Sequence, residues 1–536
     1  MRMKALISDK VDPGCVDILQ RHPGIEVDVK TDLSPDDLID IIGGYEALIV
    51  RSNTQVTEDV IAAATRLRVI GRAGAGVDNI DVEAATRRGI VVMNTPGGNS
   101  VSTAEHSFSM LLALARNLPQ ATASLKSGKW ERSRYTGVEL AGKTLGVIGL
   151  GKVGREVAQM GLAFKMKVLG HDPYVSEEST GSFVTQLAPL EQLYAESDFI
   201  TLHLPLTAQT QYFISDDQFN SCKDGVRLVN CARGGIVEEA ALLRALQSGK
   251  VAGAALDVYE SEPPQNTELL NHENLICTPH LAASTKEAQT SVALQVAEQV
   301  GEVLMDKVIR NAVNVPSVEP EVYRILRPYL DLAERMGRIQ AQLSEGQLQR
   351  ITVEYRGDVT AHPSSPMTAA VLKGIMETIS DEAVNFVNAP VFAQERGVAV
   401  VELRSSEHED FASLITVAYQ TDKGERILSG TLFGRNDPRL VRLDEYQFDA
   451  IAQGHMLFYV NEDIPGIIGR VGTVMGAHDV NIAQMSCGRH HVGGRALTIL
   501  NVDSYIGDEV LDELLQQEHI TWVRRVSISD RRNSLN

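Results

Sequence analysis

The sequence predicts an α/β protein with two doubly wound parallel sheets, followed by an α+β segment and a small βαββαβ unit. Short apolar strand candidates alternate with helical stretches in residues 3–95 and again in residues 142–280, which is typical of doubly wound parallel sheets. A glycine-rich turn follows the first strand candidate of the second stretch. Residues 455–530 show strands and helices in the order βαββαβ.

In the first stretch, four apolar segments are the strand candidates: KALIS, EALIV, LRVIGRAG and GIVVMN. A long, mostly apolar helix, SVSTAEHSFSMLLALARNL, should then open on a Ser or Thr cap. Near the end of the second stretch, Ser284 and Glu287 are spaced as a capping box for a helix that returns to the first sheet. Residues 311–322 are rich in Pro and Val and are predicted to be a linker.

Composition and charge limit the function classes. The chain has 536 residues, 43% of them hydrophobic, and a net charge of -20, which argues against a nucleic-acid partner. It also gives no reason to expect an anionic membrane surface as partner. The five cysteines are scattered without CxxC spacing, so we expect buried thiols in a reducing compartment, with no disulfide and no metal site. With no signal segment recognised at the N-terminus, we expect a cytoplasmic protein.

The glycine-rich turn predicts a dinucleotide site. Gly149, Gly151 and Gly154 have GxGxxG spacing between an apolar strand and a helix. The first glycine permits the tight turn, the second lets a pyrophosphate approach the backbone at a helix N-terminus, and the third allows close packing. Asp172 ends the next strand, where an acidic residue binds ribose hydroxyls and repels a 2'-phosphate. We therefore expect NAD rather than NADP.

Polar side chains follow three later strands, at the edge where open α/β sheets bind ligands. Arg233 follows one strand, Asp257 and Glu262 follow the next, and His280 follows the third. Such a set suits hydride transfer on a 2-hydroxy acid. His280 would take the hydroxyl proton, Glu262 would hold the other ring nitrogen, and Arg233 would bind the carboxylate and polarise the carbonyl oxygen.

Five motifs together resemble the D-isomer-specific 2-hydroxyacid dehydrogenases: RAGAGVDNID, GLGKVGREVA, NCARGGIVEEAAL, AALDVYESEPP and TPHLAASTKEAQ. The resemblance is closest to long-type members that oxidise D-3-phosphoglycerate to 3-phosphohydroxypyruvate, the entry step of serine biosynthesis. It implies a substrate-binding domain of residues 1–98, completed by about 285–316, and an NAD-binding domain of residues 99–284. An intervening domain (318–452) and a regulatory domain (453–530) would follow.

The resemblance also implies site residues. The catalytic trio is Arg233, Glu262 and His280. The cofactor contacts are Ala75, Gly149, Gly151, Lys152, Val153, Gly154, Asp172, Leu204, Cys231, Ala232, Arg233, Asp257, His280, Ala282 and Ala283. Backbone amides of Gly74, Ala75, Gly76 and Val77 would hold the substrate carboxylate, while Arg51 and Arg72 would select a phosphate. Arg132 and Trp130 would reach a neighbouring subunit of a homo-oligomer.

Two positions depart from the family pattern. Ala282 stands where glycine is usual, which adds a methyl group near the expected nicotinamide. Leu204 stands where threonine is frequent, which removes a hydroxyl contact.

The C-terminal segment resembles an ACT domain, a module that senses small molecules. NEDIPGIIGRVG and DVNIAQMSCGR carry this resemblance. It implies that serine binds between paired modules at Asn461, Asp463 and Asn481. The alternative is that the module only dimerises.

Other functions on the same fold remain open. A glyoxylate or hydroxypyruvate reductase would need neither Arg51 and Arg72 for a phosphate nor a C-terminal sensor. A formate dehydrogenase has no hydroxyl proton to remove, so Glu262 would be misplaced. A non-catalytic NAD-sensing scaffold can retain the trio, although the ACT-like segment favours the enzyme.

Overall fold

The computed structural model of the chain describes residues 2–176, 180, 183–307, 309–316, 318–408 and 410–528. Within them the strands form four sheets that follow one another along the chain. Two parallel sheets come first, then a mixed sheet and an antiparallel C-terminal sheet, which confirms the predicted fold class. No helix among these residues is long and apolar enough to cross a membrane.

The first sheet has five parallel strands in the order β2-β1-β3-β4-β5. Its strands are β1 (Met3–Ile7), β2 (Ile25–Val29), β3 (Ala47–Val50), β4 (Val69–Arg72) and β5 (Val91–Met93). Its helices are α1 (Gly14–Gln20), α2 (Pro35–Ile42), α3 (Glu58–Ala63) and α4 (Val82–Arg87). β3 is buried along its whole length, as expected for a parallel sheet covered on both faces. β2 is missing from the predicted strands because its sequence, IEVDV, alternates apolar and acidic residues at the sheet edge.

The second sheet has seven parallel strands in the order β12-β11-β10-β9-β6-β7-β8. The strands are β6 (Thr144–Ile148), β7 (Lys167–His171), β8 (Gln186–Leu187), β9 (Phe199–Leu202), β10 (Val226–Asn230), β11 (Val251–Leu256) and β12 (Leu275–Cys277). The helices are α5 (Ser100–Arg116), α6 (Leu118–Lys126), α7 (Lys152–Ala163), α8 (Leu190–Glu196), α9 (Asp216–Ser221), α10 (Glu239–Gln247) and α11 (Thr267–Leu270). After β6 the chain adds β7 and β8 on one side of the sheet. It then returns to β9, on the other side of β6, and adds β10, β11 and β12 beyond it. The carboxyl ends of β6 and β9 therefore flank the crevice where such sheets bind ligands.

The chain returns to the first sheet through α12 (Lys286–Leu304). Val296 of α12 is fully buried in the core of the first sheet. Further along, Val313 donates its N–H to the carbonyl of Val92 in β5, at 2.9 Å. The chain thus crosses between the two sheets twice, and the hydroxyls of Ser102 and Thr285 join these crossings at 2.7 Å. The numbers given for the domain boundaries remain predictions.

Two helix starts differ from the predictions. α5 has Asn99 as its N-cap residue and no side-chain cap, so the predicted Ser or Thr cap is wrong. α12 is capped by Thr285, whose hydroxyl accepts a hydrogen bond from the N–H of Ala288. The capping box predicted for Ser284 and Glu287 is therefore wrong by one residue, because Ser284 belongs to the turn that precedes the helix.

The third sheet has six strands in the order β14-β13-β15-β16-β17-β18, with β13 and β14 parallel and the other pairs antiparallel. The strands are β13 (Leu348–Gly357), β14 (Ala399–Ser405), β15 (Ser413–Thr421), β16 (Gly424–Phe433), β17 (Asp437–Leu443) and β18 (Tyr446–Ile451). The helices are α13 (Pro320–Leu343), α14 (Ser365–Ile379) and α15 (Ala389–Glu395). The predicted linker is shorter than expected, because Ala312 pairs with Met93 and α13 already begins at Pro320.

The fourth sheet confirms the predicted βαββαβ order. Its strands are β19 (Gly454–Glu462), β20 (Ile482–Arg489), β21 (Arg495–Val502) and β22 (Ile520–Ile528), and its helices are α16 (Ile467–Ala477) and α17 (Asp508–Leu515). The helices cover one face of the sheet. On the other face, Met456, Phe458 and Leu497 join a core that also contains residues of α13 and the third sheet. The third and fourth sheets thus share one hydrophobic core.

Candidate active site

Three loops at the carboxyl edge of the second sheet carry Arg233, Glu262 and His280. They follow β10, β11 and β12, which are neighbours in the sheet. Nδ1 of His280 lies 2.8 Å from Oε2 of Glu262. The hydrogen bond to Glu262 raises the pKa of His280, although burial of the ring acts in the opposite direction. The carboxylate of Glu262 therefore favours the protonated form of the His280 ring.

A buried carboxylate holds the loop that carries His280. Asp257 is fully buried, and its oxygens accept hydrogen bonds from the N–H groups of Leu281 and Ala282 at 2.8 and 2.9 Å. Its carbonyl accepts the N–H of His280, which adopts a left-handed backbone with φ of 54°. Burial would raise the pKa of Asp257, but hydrogen bonds from His106, Thr278 and the two N–H groups outweigh it and lower the pKa. An ionised Asp257 thus fixes the strained loop that carries His280.

The loop of residues 74–77, between β4 and α4, packs against two arginines. A β-carbon on Gly74 would lie 2.4 Å from Nη1 of Arg72. A β-carbon on Gly76 would lie 2.3 Å from Nη2 of Arg233. Any side chain at these positions would displace the guanidinium groups, so the glycines let both arginines approach the loop from either side.

Positive charge is concentrated around this loop. Burial lowers the pKa of Arg72, and the charges of Arg233 and Arg51 lower it further. Asp78 partly offsets this charge, because its carboxylate lies 3.2 Å from Nε of Arg233. Three arginines gathered in a chain of net charge -20 favour an anionic ligand. The geometry suits a substrate with more than one negative group.

The glycine turn after β6 has room for a pyrophosphate. A β-carbon on Gly149, which has φ of 92°, would lie 2.4 Å from the carbonyl oxygen of His203, and one on Gly154 would lie 1.9 Å from that of Gly149. Gly151 is the N-cap residue of α7, and nothing lies within 4 Å of the position its β-carbon would take. Two glycines are thus required by packing, and the third leaves open space at a helix N-terminus.

Asp172 joins this turn to the end of β7. One carboxylate oxygen accepts the N–H of Leu150 and the other the N–H of Tyr174, both at 2.9 Å. Lys152 reaches across to the first crossing, where its Nζ donates to the carbonyl of Pro96 at 3.1 Å. The open cradle, the acidic residue and the adjacent crevice fit NAD.

Comparison with known proteins identifies the family. Residues 108–282 match the family model of the D-isomer specific 2-hydroxyacid dehydrogenase NAD binding domain. Residues 325–444 match the D-3-phosphoglycerate dehydrogenase intervening domain, and residues 455–519 match the ACT domain. A D-3-phosphoglycerate dehydrogenase of Archaeoglobus fulgidus is 45% identical over 97% of this chain and 98% of that protein. The chain belongs to the D-3-phosphoglycerate dehydrogenase family. It is an NAD-dependent 2-hydroxyacid dehydrogenase.

Other relatives agree with membership in the D-3-phosphoglycerate dehydrogenase family. The enzymes of that name from Synechocystis and Bacillus subtilis are 43% and 39% identical over 95% and 98% of this chain, and over 92% and 99% of their own lengths. Among solved structures, a glyoxylate reductase from Paecilomyes thermophila has a TM-score of 0.54 at 29% identity. It covers 58% of this chain and 98% of its own. A D-lactate dehydrogenase from Aquifex aeolicus, complexed with NAD and lactic acid, has a TM-score of 0.52 at 29% identity and covers 59% of this chain and 100% of its own.

The remaining predicted cofactor residues lie around the same crevice. Leu204 packs at the glycine turn, with a side-chain carbon 3.2 Å from the position of a β-carbon on Gly149. Cys231 is buried, and burial raises the pKa of its thiol to about 12. Ala232 donates its N–H to Asn230 at 3.0 Å. The methyl group of Ala282 lies in the apolar core of the second sheet, so it is accommodated within the protein. Val153 packs against that core, and Ala283 continues the turn toward α12.

Arg132 and Trp130 do not join the site within one chain. Trp130 is 77% exposed. Arg132 begins a short 3-10 helix (Arg132–Tyr135) between α6 and β6, in which no residue is buried. Leu118 and Leu125 of the neighbouring α6 are also more than half exposed. The prediction that these two residues complete the site of another subunit therefore depends on a second copy.

The three predicted effector residues fall at two ends of the fourth sheet. Asn461 and Asp463 lie at the end of β19 that pairs with Arg495. Asn481 lies at the opposite end, where its amide donates to Asp503 at 2.6 Å. Within one chain they do not form a site. Asp463 also accepts a hydrogen bond from Arg489, which with the N–H of Gly493 lowers its pKa, so its carboxylate already has a cationic partner.

The cysteine prediction is partly wrong. All five thiols are free, but Cys277 and Cys487 are exposed rather than buried. Cys277 ends β12, an edge strand of the second sheet, and Cys487 lies on β20, an edge strand of the fourth sheet beside β18, where the N–H of Asp449 donates to the Ser486 hydroxyl. Among the described residues, no group of His, Cys, Asp and Glu could hold a metal ion.

Sequence reasoning missed two residues that organise the site. Asn79 donates its amide to the carbonyls of Arg51 and Thr54, at 2.8 and 2.6 Å, and accepts a hydrogen bond from Nε of Arg72 at 3.1 Å. His106 contacts Asp257, with its Nε2 atom 3.3 Å from Oδ1 of that residue. The GVDN sequence that follows AGA was the available signal for Asn79, whereas nothing near His106 in the sequence points to residue 257.

Proposed function

We propose that this chain oxidises D-3-phosphoglycerate to 3-phosphohydroxypyruvate with NAD, as the first step of serine biosynthesis. The observation that carries the proposal is the pairing of His280 with Glu262 opposite a loop flanked by Arg72 and Arg233. A general base and two cations on one crevice match the hydroxyl proton, the carboxylate and the phosphate of this substrate.

In this proposal His280 accepts the proton of the C2 hydroxyl at its Nε2 atom. Glu262 keeps the ring oriented and stabilises the resulting imidazolium. Arg233 and the N–H groups of residues 74–77 hold the carboxylate, and Arg233 polarises the C2 oxygen as the carbonyl forms. Arg51 and Arg72 bind the phosphate. The glycine turn and Asp172 would hold NAD, which would supply the acceptor for the hydride that leaves C2.

Steady-state assays with phosphoglycerate, hydroxypyruvate and glyoxylate test this proposal. We expect kcat/KM for phosphoglycerate to exceed that for hydroxypyruvate and glyoxylate by at least about a hundredfold. The substrates without a phosphate lose the two charge-assisted contacts with Arg51 and Arg72. A preference for glyoxylate would assign the chain to a reductase, and no turnover of any of the three would overturn the enzyme proposal. His280→Ala should be inactive with all of them.

We further propose that serine regulates the enzyme at the fourth sheet of a homo-oligomer. Oδ1 of Asn461 is buried and has no hydrogen-bond partner among the described residues, and the amide of Asn461 donates to the carbonyl of Glu462 at 2.7 Å. Because Asn481 lies at the other end of the sheet, a site that includes Asn461, Asp463 and Asn481 requires a second copy of the chain.

We also propose a reducing, cytoplasmic location, which agrees with five free thiols.

Serine titration of the activity tests this regulation. Asn461→Ala should reduce the ratio of activity without serine to activity with serine toward one. Sedimentation of the intact chain should show a dimer or larger species. A monomer that responds to serine would contradict the shared site, and an oligomer with no response would leave only dimerisation as the role of this sheet.

A further inference from the structure

We infer that His106 is a positioning residue of the active site, which acts on His280 through Asp257 and Thr278. His106 lies on α5, and 22% of its side chain is exposed. Its Nε2 atom lies 3.2 Å from the Thr278 hydroxyl and 3.3 Å from Oδ1 of Asp257. The inference rests on the proposed role of His280 as the proton acceptor.

The acceptors fix the direction of these hydrogen bonds. An ionised carboxylate only accepts, so the Thr278 hydroxyl donates to Oδ1 of Asp257 at 2.5 Å. The Thr278 hydroxyl can then only accept a hydrogen bond from His106, and so can the Asp257 carboxylate. Nε2 of His106 must therefore carry the hydrogen that points at these two oxygens. His106 is thus a donor to a hydroxyl–carboxylate pair that itself holds residues 278–282.

The loop needs this support because its conformation is unfavourable by itself. Non-glycine residues adopt the backbone of His280 only where neighbours impose it. Asp257 imposes it through its carbonyl and both carboxylate oxygens. Of the hydrogen bonds that lower the pKa of Asp257 and keep it ionised, the one from His106 has the largest effect. Loss of this donor therefore loosens the loop at its anchor.

Other charged groups do not replace His106. Cys231, which directly follows β10, interacts with Asp257, and burial keeps its thiol protonated by raising the pKa to about 12. Glu262 and Arg233 act on the charge of His280. Glu105, next to His106 on α5, is exposed.

α5 also connects this support to the crossing between the two sheets. Ser102, one turn before His106, bonds to Thr285 at the end of the same loop. α5 therefore holds residues 278–285 at both ends, and His106 is the contact nearer to the catalytic histidine. A change at this contact should alter the chemical step more than ligand binding.

Steady-state kinetics of the full chain with phosphoglycerate and NAD test the inference. The amide nitrogen of glutamine reaches about as far as Nε2 of histidine, whereas that of asparagine stops about one bond short. We expect His106→Ala and His106→Asn to lower kcat by about tenfold, the cost of one hydrogen bond, with both KM values within about threefold. His106→Gln should keep kcat within about threefold of the unaltered chain.

A second pair of variants removes the same contact from its other end. Thr278→Val should lower kcat to a similar extent, and Thr278→Ser, which keeps the hydroxyl, should not. This pair decides the question if His106→Ala does not fold. His478→Gln is the matched control, because His478 also pairs with a carboxylate, Glu513 at 2.8 Å, but in the C-terminal sheet. It should leave kcat unchanged.

Three results would overturn the inference: an unchanged kcat in His106→Ala, an equal loss in the Gln and Asn variants, or a loss confined to KM. Activity in His280→Ala would instead reject the proposed function. An inactive His280→Ala with a fully active His106→Ala would reject this inference alone.

Discussion

His280 and Glu262 form a hydrogen bond of 2.8 Å between loops that follow neighbouring strands. The imidazole and the carboxylate are each about half exposed, so the pair is open to a ligand on one side. The other side of the His280 loop is tied to a fully buried carboxylate, Asp257. The imidazole of His280 thus combines an accessible face with a fixed backbone.

The first prediction concerns pH. Glu262 raises the pKa of His280, and oxidation of a hydroxy acid requires a neutral His280, so activity should be lost as the pH falls through this raised pKa. In Glu262→Gln the pKa should fall, and the acidic limb of kcat/KM should move to lower pH. The maximal rate should drop by about 10- to 100-fold, because the imidazolium loses its partner. A profile with an unmoved acidic limb would contradict the proposed role.

The second prediction concerns the phosphate. Arg72→Met should lower kcat/KM for phosphoglycerate by about 100-fold and change the turnover of hydroxypyruvate little. The reason is that phosphoglycerate carries a phosphate and hydroxypyruvate does not. The matched control is Arg68→Met, since Arg68 precedes the same strand but donates to the carbonyl of Leu304 at 3.3 Å. Equal losses with both substrates would show that Arg72 has no part in this selectivity.

The third prediction concerns Ala282. Its methyl group is buried in the core of the second sheet, and its N–H is held by Asp257. We expect Ala282→Gly to weaken NAD binding by a few-fold, because glycine adds backbone freedom at the crevice, and to change kcat less. Fluorescence titration with NAD measures the first effect and single-turnover kinetics the second. Unchanged cofactor affinity would show that backbone freedom at residue 282 has no effect on NAD binding.

The fourth prediction concerns stability in acid. Burial lowers the pKa of His203 from 6.5 to about 4. The folded chain therefore binds fewer protons than the unfolded chain between these values, so stability should fall as the pH drops through this window and level off below it. His203→Gln should reduce the difference in melting temperature between about pH 7.5 and pH 4.5 by a few degrees. An equal difference in both proteins would mean that His203 is already charged in the folded state.

Much of the site follows from local sequence rules. Arg233, Glu262 and His280 could be placed together because parallel strands end at the same edge of a sheet. The glycine turn and Asp172 could be placed because the strand–turn–helix context is local. These predictions require only the order of elements, which apolar periodicity gives well.

The parts that could not be predicted depend on contacts distant in sequence. The left-handed backbone of His280 has no local signature, since non-glycine residues seldom adopt it, and hydrogen bonds to Asp257 impose it. The start of α13 at Pro320 was predicted to be part of a linker. The apolar residues of this helix face a core that other segments of the chain build. Asn461 and Asn481 were grouped by motif, although the antiparallel register separates them.

The core common to the third and fourth sheets restricts how this enzyme can be engineered. Removing the chain after residue 452 would expose the apolar partners of Met456, Phe458 and Leu497. Such a truncation should aggregate rather than yield a smaller stable enzyme. The role of the fourth sheet is therefore better tested by single substitutions within it than by shortening the chain.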